Sequence, residues 1–167
     1  QHILALNTGS SVSAGGDLNG DGFPDALFGN PYGQVSTTNQ QEYIGTATIL
    51  LGGQNPARVL DANDPGEGAL TIKGSGNELL GMELRGVDDV NNDGFDDFLI
   101  AAPRAGDEQN GRTYLVLGAS QLRPPREYPL IIEGGTKYLA AAGDINVDGY
   151  DEFLVCSNDF RALLVWG

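Results

Sequence analysis

The chain has very little cysteine and histidine to build a reactive site. Its 167 residues include one cysteine, Cys156, and one histidine, His2. A disulfide within one chain needs two cysteines and a thiolate zinc site needs several, so both are excluded. One histidine at the very start also leaves almost no material for the histidine-based triads of hydrolases. The composition therefore weakens most hydrolase interpretations.

Basic residues are scarce as well. Lys and Arg number 9 against 23 Asp and Glu, which gives a formal net charge of −14 at pH 7. Nucleic acids and anionic membranes both attract clustered basic side chains, so no nucleic-acid partner and no anionic membrane surface is expected. No apolar run approaches the roughly 20 residues of a transmembrane helix, so no direct membrane insertion is expected either.

Glycine, in contrast, is abundant, with 25 residues in the chain. It separates short apolar segments that have the length of strands and are rich in β-branched or aromatic residues, for example TATILLG, DFLIAAP and TYLVLG. No sustained period of 3.6 residues indicates a long helix. The pattern therefore predicts an all-β chain.

Three segments of the chain repeat one pattern, at residues 10–31, 82–103 and 137–158. A second apolar strand follows each of them, and further strands are predicted in the connections and at residues 2–6. Four-stranded antiparallel units that repeat in this way are typical of β-propeller blades. We therefore expect one propeller segment of three blades, at about 7–74, 75–134 and 135–167, with strand 1–6 completing a blade.

Each repeat contains a nine-residue acidic loop, and the copies read DLNGDGFPD, DVNNDGFDD and DINVDGYDE. Positions 1, 3 and 5 are Asp, Asn and Asp in every copy, position 6 is Gly, position 7 is aromatic and position 9 is acidic. Oxygen-bearing side chains at alternate positions of a tight loop converge on one point, and the glycine permits the sharp turn. Carboxylates from positions 1, 5 and 9, the amide oxygen of position 3 and the carbonyl of position 7 form a set of hard oxygens that suits Ca²⁺.

The sequence thus predicts about three Ca²⁺ ions, one in each loop. The EF-hand is excluded, because position 12, where it needs Glu, falls on apolar residues of predicted strands. The neighbouring Asp88, Asp96 and Asp151 lie off the ligand positions and are expected to be solvated. The predicted ligands are Asp17, Asn19, Asp21, Phe23 and Asp25 in the first loop, Asp89, Asn91, Asp93, Phe95 and Asp97 in the second, and Asp144, Asn146, Asp148, Tyr150 and Glu152 in the third.

These loops and their flanks resemble the FG-GAP repeats of the integrin α-subunit β-propeller and of related surface proteins. The typical repeat starts with Phe-Gly, continues with a D-x-[DN]-x-D-G-x-x-D loop and ends its apolar strand in Gly-Ala-Pro. Leu80-Gly81 stands at the Phe-Gly position, and Gly29-Asn30-Pro31 and Ala101-Ala102-Pro103 stand at the Gly-Ala-Pro position. The resemblance implies a seven-bladed propeller in the family, with Ca²⁺ in the hairpin loops of several blades.

Two functions remain open. The first is a non-enzymatic calcium-binding module, extracellular or at the cell surface, that mediates adhesion by binding a protein or glycan through loops such as residues 34–42. The second is a scaffold segment of a larger calcium-dependent propeller enzyme of the polysaccharide lyase or phospholipase type. We favour the first, because the sequence contains no catalytic constellation.

The number of repeats also predicts an association. Closed propeller rings hold about four to eight blades, and this chain offers three repeats. We therefore expect it either to pack against the remaining blades of a longer polypeptide or to form a homodimer.

Overall fold

The computed structural model describes residues 10–37, 40–53, 68–134, 138–157 and 161–167. Within these ranges the regular elements are β-strands, which confirms the predicted all-β class. No helix in the described part of the chain is long and apolar enough to cross a membrane. The strand predicted at residues 2–6 lies outside the described residues.

The strands form successive antiparallel sheets. The strand bounds are β1 Ser11–Gly16, β2 Asp25–Asn30, β3 Gln34–Thr37, β4 Gln40–Tyr43, β5 Thr46–Leu50, β6 Ala69–Lys73, β7 Glu83–Asp88, β8 Asp97–Ala102, β9 Arg112–Val116, β10 Ile131–Glu133, β11 Tyr138–Gly143, β12 Glu152–Cys156 and β13 Ala162–Val165. Two sheets contain four strands each, in the orders β1-β2-β5-β6 and β7-β8-β9-β10, and a third contains β11-β12-β13. These antiparallel sheets agree with the predicted propeller blades.

The polar stretch at residues 34–42 differs from the loop that the sequence predicts. The described residues 34–37 and 40–43 form the two strands of a separate hairpin, β3–β4, in which Val35 is paired with Glu42 and Ser36 with Gln41. The β-branched residues Val35 and Thr37 favour an extended backbone, and antiparallel pairing gives the backbone N–H and C=O groups partners. The hairpin is thus an insertion between β2 and β5 of the first sheet.

The middle sheet is buried on both faces, because its neighbours cover it on either side. Alternate residues of a strand point to opposite faces of a sheet. On β8, Phe98 and Ile100 join the core shared with the first sheet, whereas Leu99 and Ala101 join the core shared with the third. This arrangement explains why all six residues of β8 are buried.

The first and second sheets approach each other very closely at Gly81. This glycine has φ 86°, a backbone conformation that side chains with a Cβ rarely adopt. A Cβ atom there would also collide with the carbonyl oxygen of Thr46, and the Ser11 hydroxyl donates a hydrogen bond of 3.2 Å to the Gly81 carbonyl. The glycine of the predicted Phe-Gly position is therefore a contact point between sheets.

The first strands of the sheets lie side by side. β1 packs beside β7, and β7 packs beside β11. The loop that leaves each of these strands consequently emerges at the same edge of its sheet. This arrangement places the predicted acidic loops next to one another.

Candidate metal centres

Each acidic loop follows a bulge at the end of the first strand of its sheet. The pairing register shifts at the last residues of β1, β7 and β11. The residues immediately before the loops, Gly16, Asp88 and Gly143, have φ values of 74°, 57° and 67°. A bulge increases the local twist and re-aims the chain, so it directs each loop away from its sheet.

The carboxylate of position 1 organises the loop around itself. In the first loop, the Asp17 carboxylate accepts hydrogen bonds from the backbone N–H groups of Asp21, at 3.0 Å, and Gly22, at 2.8 Å. The Asn19 side-chain oxygen also accepts the Asp21 N–H, and the Asp21 carboxylate accepts the N–H of Phe23 at 2.9 Å. The same bonds recur in the second and third loops. The oxygens of positions 1, 3 and 5 are thus gathered in the same way three times.

Glycine is needed at position 6 because of the backbone conformation there, and not because a side chain would lack space. Gly22, Gly94 and Gly149 have φ values of 86°, 89° and 95°. A Cβ on Gly22 or Gly94 would meet no heavy atom within 4 Å. The requirement for glycine is therefore the left-handed backbone, which agrees with the sharp turn expected from the sequence.

Position 4 also adopts the left-handed conformation, which the sequence pattern did not reveal. Gly20 has φ 71°, Asn92 has φ 54° and Val147 has φ 61°. Glycine and asparagine tolerate this region, whereas a β-branched valine is strained there. The third loop therefore holds a strained residue, with a side chain that is 86% exposed.

The position 9 carboxylate of the first loop joins the loop to its sheet. One oxygen of Asp25 accepts the Leu18 N–H at 2.9 Å, and the other accepts the Gly52 N–H at 2.7 Å. Leu18 belongs to the loop itself, whereas Gly52 follows strand β5. Burial raises the pKa of Asp25, and the two N–H groups partly oppose this rise.

The second loop repeats this arrangement in a more deeply buried place. Asp97 is fully buried and accepts the Val90 N–H at 3.0 Å and the Gly118 N–H at 2.8 Å. The pKa of Asp97 is raised to about 7 by the sum of several effects, of which burial is the largest. The two N–H groups lower this pKa, and the charges of Asp93 and Asp89 raise it further. A cation beside this carboxyl group would hold it in the ionised form.

The third loop departs from this arrangement because its position 9 is Glu152. One oxygen of the buried Glu152 accepts the Ile145 N–H at 2.8 Å. The other, Oε1, is buried and has no hydrogen-bond partner among the described residues. One oxygen each of Asp144, Asp148 and Glu152 lie within 4.8 Å of one another, as the ligands of a metal ion would.

The donor sets of the loops fit a hard divalent cation. Carboxylate and amide oxygens are the ligands that Ca²⁺ and Mg²⁺ take in proteins. Positions 1, 3 and 5 come together in every loop, but only the third brings its position 9 side chain into a close three-carboxylate cluster among the described residues. The carbonyl ligand expected at position 7, on Phe23, Phe95 and Tyr150, stays a prediction.

Neighbouring loops are hydrogen-bonded to each other, which corrects the expectation for Asp96. The Asp96 carboxylate is not a solvated neighbour: it accepts the Asp17 N–H at 2.6 Å, and the Asp96 N–H donates to the Asp17 carbonyl at 3.2 Å. The Asp151 N–H likewise donates to the Asp89 carbonyl at 3.3 Å. Position 8 of each following loop therefore contacts position 1 of the loop before it.

Side-by-side antiparallel sheets, each with an acidic loop between its first two strands, define a β-propeller segment with repeated loop sites. The family model of the FG-GAP repeat matches residues 8–50 and 85–116. The chain is 31% identical to human integrin alpha-7 over 155 residues, which is 89% of this chain and 12% of that protein. It is 30% identical to mouse integrin alpha-3 over 161 residues, which is 89% of this chain and 14% of that protein. Two segments of the chain therefore match the FG-GAP repeat, and the chain is similar to integrin α subunits over most of its length.

This similarity bears on where the protein acts. Mouse integrin alpha-IIb also matches, at 28% identity over 162 residues, which is 91% of this chain and 15% of that protein. The chain thus spans only a small part of these relatives. The similarity to integrin α subunits agrees with the expected extracellular or cell-surface location.

The first testable prediction concerns the bond between neighbouring loops. Asp96→Ala leaves the Asp17 N–H without its acceptor, so we expect the free energy of unfolding to fall by about 1–3 kcal/mol. Asp96→Asn keeps an oxygen at the same place and is the matched control, with a clearly smaller loss. Urea unfolding of both variants measures the difference, and equal losses would contradict a role for this bond.

The second prediction concerns the strained residue at position 4 of the third loop. Val147→Asn replaces a β-branched residue by one that tolerates positive φ, so we expect a gain of about 1 kcal/mol in unfolding free energy. The reciprocal Asn92→Val in the second loop should cost a similar amount. Denaturant midpoints of the two variants test this pair. Destabilisation by Val147→Asn would show that the valine is not strained.

Proposed function

We propose that this chain is a calcium-binding FG-GAP module of an adhesion protein, with one Ca²⁺ in each of its three acidic loops. The main support is the network around position 1, which is the same in every loop. A second support is the buried oxygen of Glu152 that has no partner in the described part of the chain, because a buried polar group without a partner is costly. A bound cation would give that oxygen a partner.

Calcium is the proposed metal because the loops offer many oxygens in an irregular arrangement. Ca²⁺ takes 6–8 oxygen ligands at about 2.3–2.6 Å and tolerates irregular geometry, whereas Mg²⁺ requires a near-ideal octahedron with more water. The proposed ligands are the side chains at positions 1, 3, 5 and 9 and the carbonyl at position 7. Bound Ca²⁺ supplies positive charge that offsets the repulsion between the gathered carboxylates.

The proposed role is binding rather than catalysis. The relatives that the chain matches are integrin α subunits, so we infer a protein ligand for this chain as well. Their similarity favours the binding module over the enzyme scaffold. The glycan partner and the homodimer have no support from these relatives and stay predictions, as does the placement of the blade boundaries.

The calcium proposal is tested by thermal unfolding with and without metal. A ligand present at about 100 times its dissociation constant stabilises by roughly 2.7 kcal/mol for each independent site. We therefore expect calcium to raise the melting temperature and a chelator to reverse the gain. Mg²⁺ at the same concentration should have a smaller effect. An unchanged melting temperature in chelator and calcium would contradict the proposal.

A matched pair of variants connects this gain to the loops. Asp93→Ala removes the position 5 carboxylate of the second loop, so the calcium-dependent stabilisation should fall by roughly one third. Asp107→Ala removes an exposed acid outside the loops and should leave the gain unchanged. Equal effects of the two variants would indicate a general charge effect instead of a site.

The β3–β4 hairpin is the proposed contact surface for a protein ligand. It forms its own two-stranded sheet, apart from the sheets that carry the acidic loops. Deleting residues 36–41 should therefore preserve calcium-dependent stability and reduce binding to purified extracellular proteins in surface plasmon resonance. A control with these residues replaced by a Gly-Ser linker of the same length keeps the spacing. Unchanged binding by the deletion variant and by the linker variant would show that the contact surface lies elsewhere.

A further inference from the structure

The acidic loops differ at position 9, although the rest of their hydrogen-bond network is the same. The first and second loops have Asp at this position and the third has Glu152, which is longer by one methylene group. All three side chains are buried, at 3%, 0% and 0% exposure for Asp25, Asp97 and Glu152. The difference therefore lies in where the carboxylate oxygens reach rather than in their exposure.

In the first two loops the backbone engages both oxygens of position 9. Asp25 accepts one N–H from its own loop and one from Gly52, and Asp97 accepts one from its own loop and one from Gly118. These bonds hold the carboxylates toward the sheet. Among the described residues, neither aspartate joins the other acids of its loop in a close cluster.

In the third loop the residue equivalent to Gly118 is Gly167. A Cβ on Gly118 would meet the carbonyl oxygens of Asp96 and Leu18, and a Cβ on Gly167 would meet those of Asp151 and Val90. The two glycines thus occupy corresponding places, one sheet apart. The buried Glu152 Oε1 nevertheless has no partner among the described residues, so the second backbone bond of the aspartates is not made there.

The oxygen of Glu152 without a donor favours cation binding by the third loop. A buried carboxylate oxygen without a donor has lost its hydration and gained no hydrogen bond, which is unfavourable. A cation that contacts this oxygen offsets the loss. The first two loops gain less in this way, because two N–H groups already satisfy their position 9 carboxylates. The Asp144, Asp148 and Glu152 oxygens are also already within 4.8 Å of one another, so the third loop needs less rearrangement.

The geometry points to cation sites of unequal affinity. The third loop binds the cation most tightly, and Glu152 is the residue responsible for this higher affinity. This inference rests on the proposed function, since it ranks the sites that the function requires. It further implies that partial filling at limiting calcium begins at the third loop. Glu152 is thus the ligand that sets the calcium affinity of the third loop relative to the other two.

A site-resolved titration of the 167-residue chain with Ca²⁺ alone tests the ranking. The position 6 glycines are suitable reporters, because the N–H groups of Gly22, Gly94 and Gly149 each donate to the position 1 carboxylate of their loop. Their amide signals in ¹H–¹⁵N spectra follow each loop separately. We expect Gly149 to reach half-saturation at a calcium concentration about tenfold below the others, which corresponds to about 1.4 kcal/mol.

Variants at Glu152 separate a ligand role from a merely structural one. Glu152→Gln removes the charge and should raise the Gly149 midpoint about tenfold or more while leaving Gly22 and Gly94 in place. Glu152→Asp should let both oxygens bind backbone N–H groups, so that the third loop titrates with the others. Asp151→Asn removes an adjacent charge that is not a proposed ligand, and it should shift the midpoint by less than about threefold.

The outcomes distinguish this inference from the proposed function. Equal midpoints in the unmodified chain, or a Gly149 midpoint above the others, would overturn the ranking while calcium binding stands. Glu152→Gln and Asp151→Asn shifting the Gly149 midpoint equally would overturn the role of Glu152. An absence of calcium response at all three glycines would overturn the proposed function itself.

Discussion

The buried carboxylate at position 9 of each acidic loop is the contact on which the loop and its sheet depend. In the first two sheets it accepts one N–H from the loop and one from the glycine after the third strand. It therefore fixes the loop against two strands at once. In these two sheets the buried carboxylate is stabilised because both of its oxygens have donors, whereas in the third loop only one oxygen of Glu152 has a donor among the described residues. In the first two loops the aspartate at this position thus serves the fold as well as the proposed metal site.

This double role explains why the loops are coupled to the packing of the sheets. The Asp96 carboxylate contacts the first residue of the preceding loop, and the close approach at Gly81 brings the same two sheets together. The loops whose oxygens would hold the cations are thus hydrogen-bonded to their neighbours along one edge of the sheets. We expect metal binding to stabilise the contacts between sheets, because ordering one loop fixes the partner of the next.

The sequence was sufficient to predict the class of fold and the position of the loops. Gly-bounded apolar segments became the described strands, and the glycine at position 6 has the left-handed backbone that its turn requires. These predictions succeeded because strand alternation and turn chemistry are local properties. The ligand assignments stay predictions, although the shared network around position 1 supports them.

Other features were missed because they depend on contacts between distant parts of the chain. Asp96 lies 79 positions from Asp17, so nothing local distinguishes it from a solvated acid. Glu in place of Asp at position 9 is a conservative change by residue type. Only the three-dimensional arrangement shows that one oxygen of Glu152 has no donor among the residues that the structure describes. The β3–β4 hairpin was missed because a polar composition resembles a loop, although Val35 and Thr37 were a usable signal for strands.

The central claim is that the repeated loops are metal sites, and the calcium content of the folded chain tests it most directly. Native mass spectrometry of the chain, after dialysis against millimolar calcium, counts the bound ions without depending on stability or on a partner. We predict a mass that corresponds to three Ca²⁺ per chain, reduced to two by Asp93→Ala. A folded chain that retains no calcium at millimolar concentrations would contradict the claim.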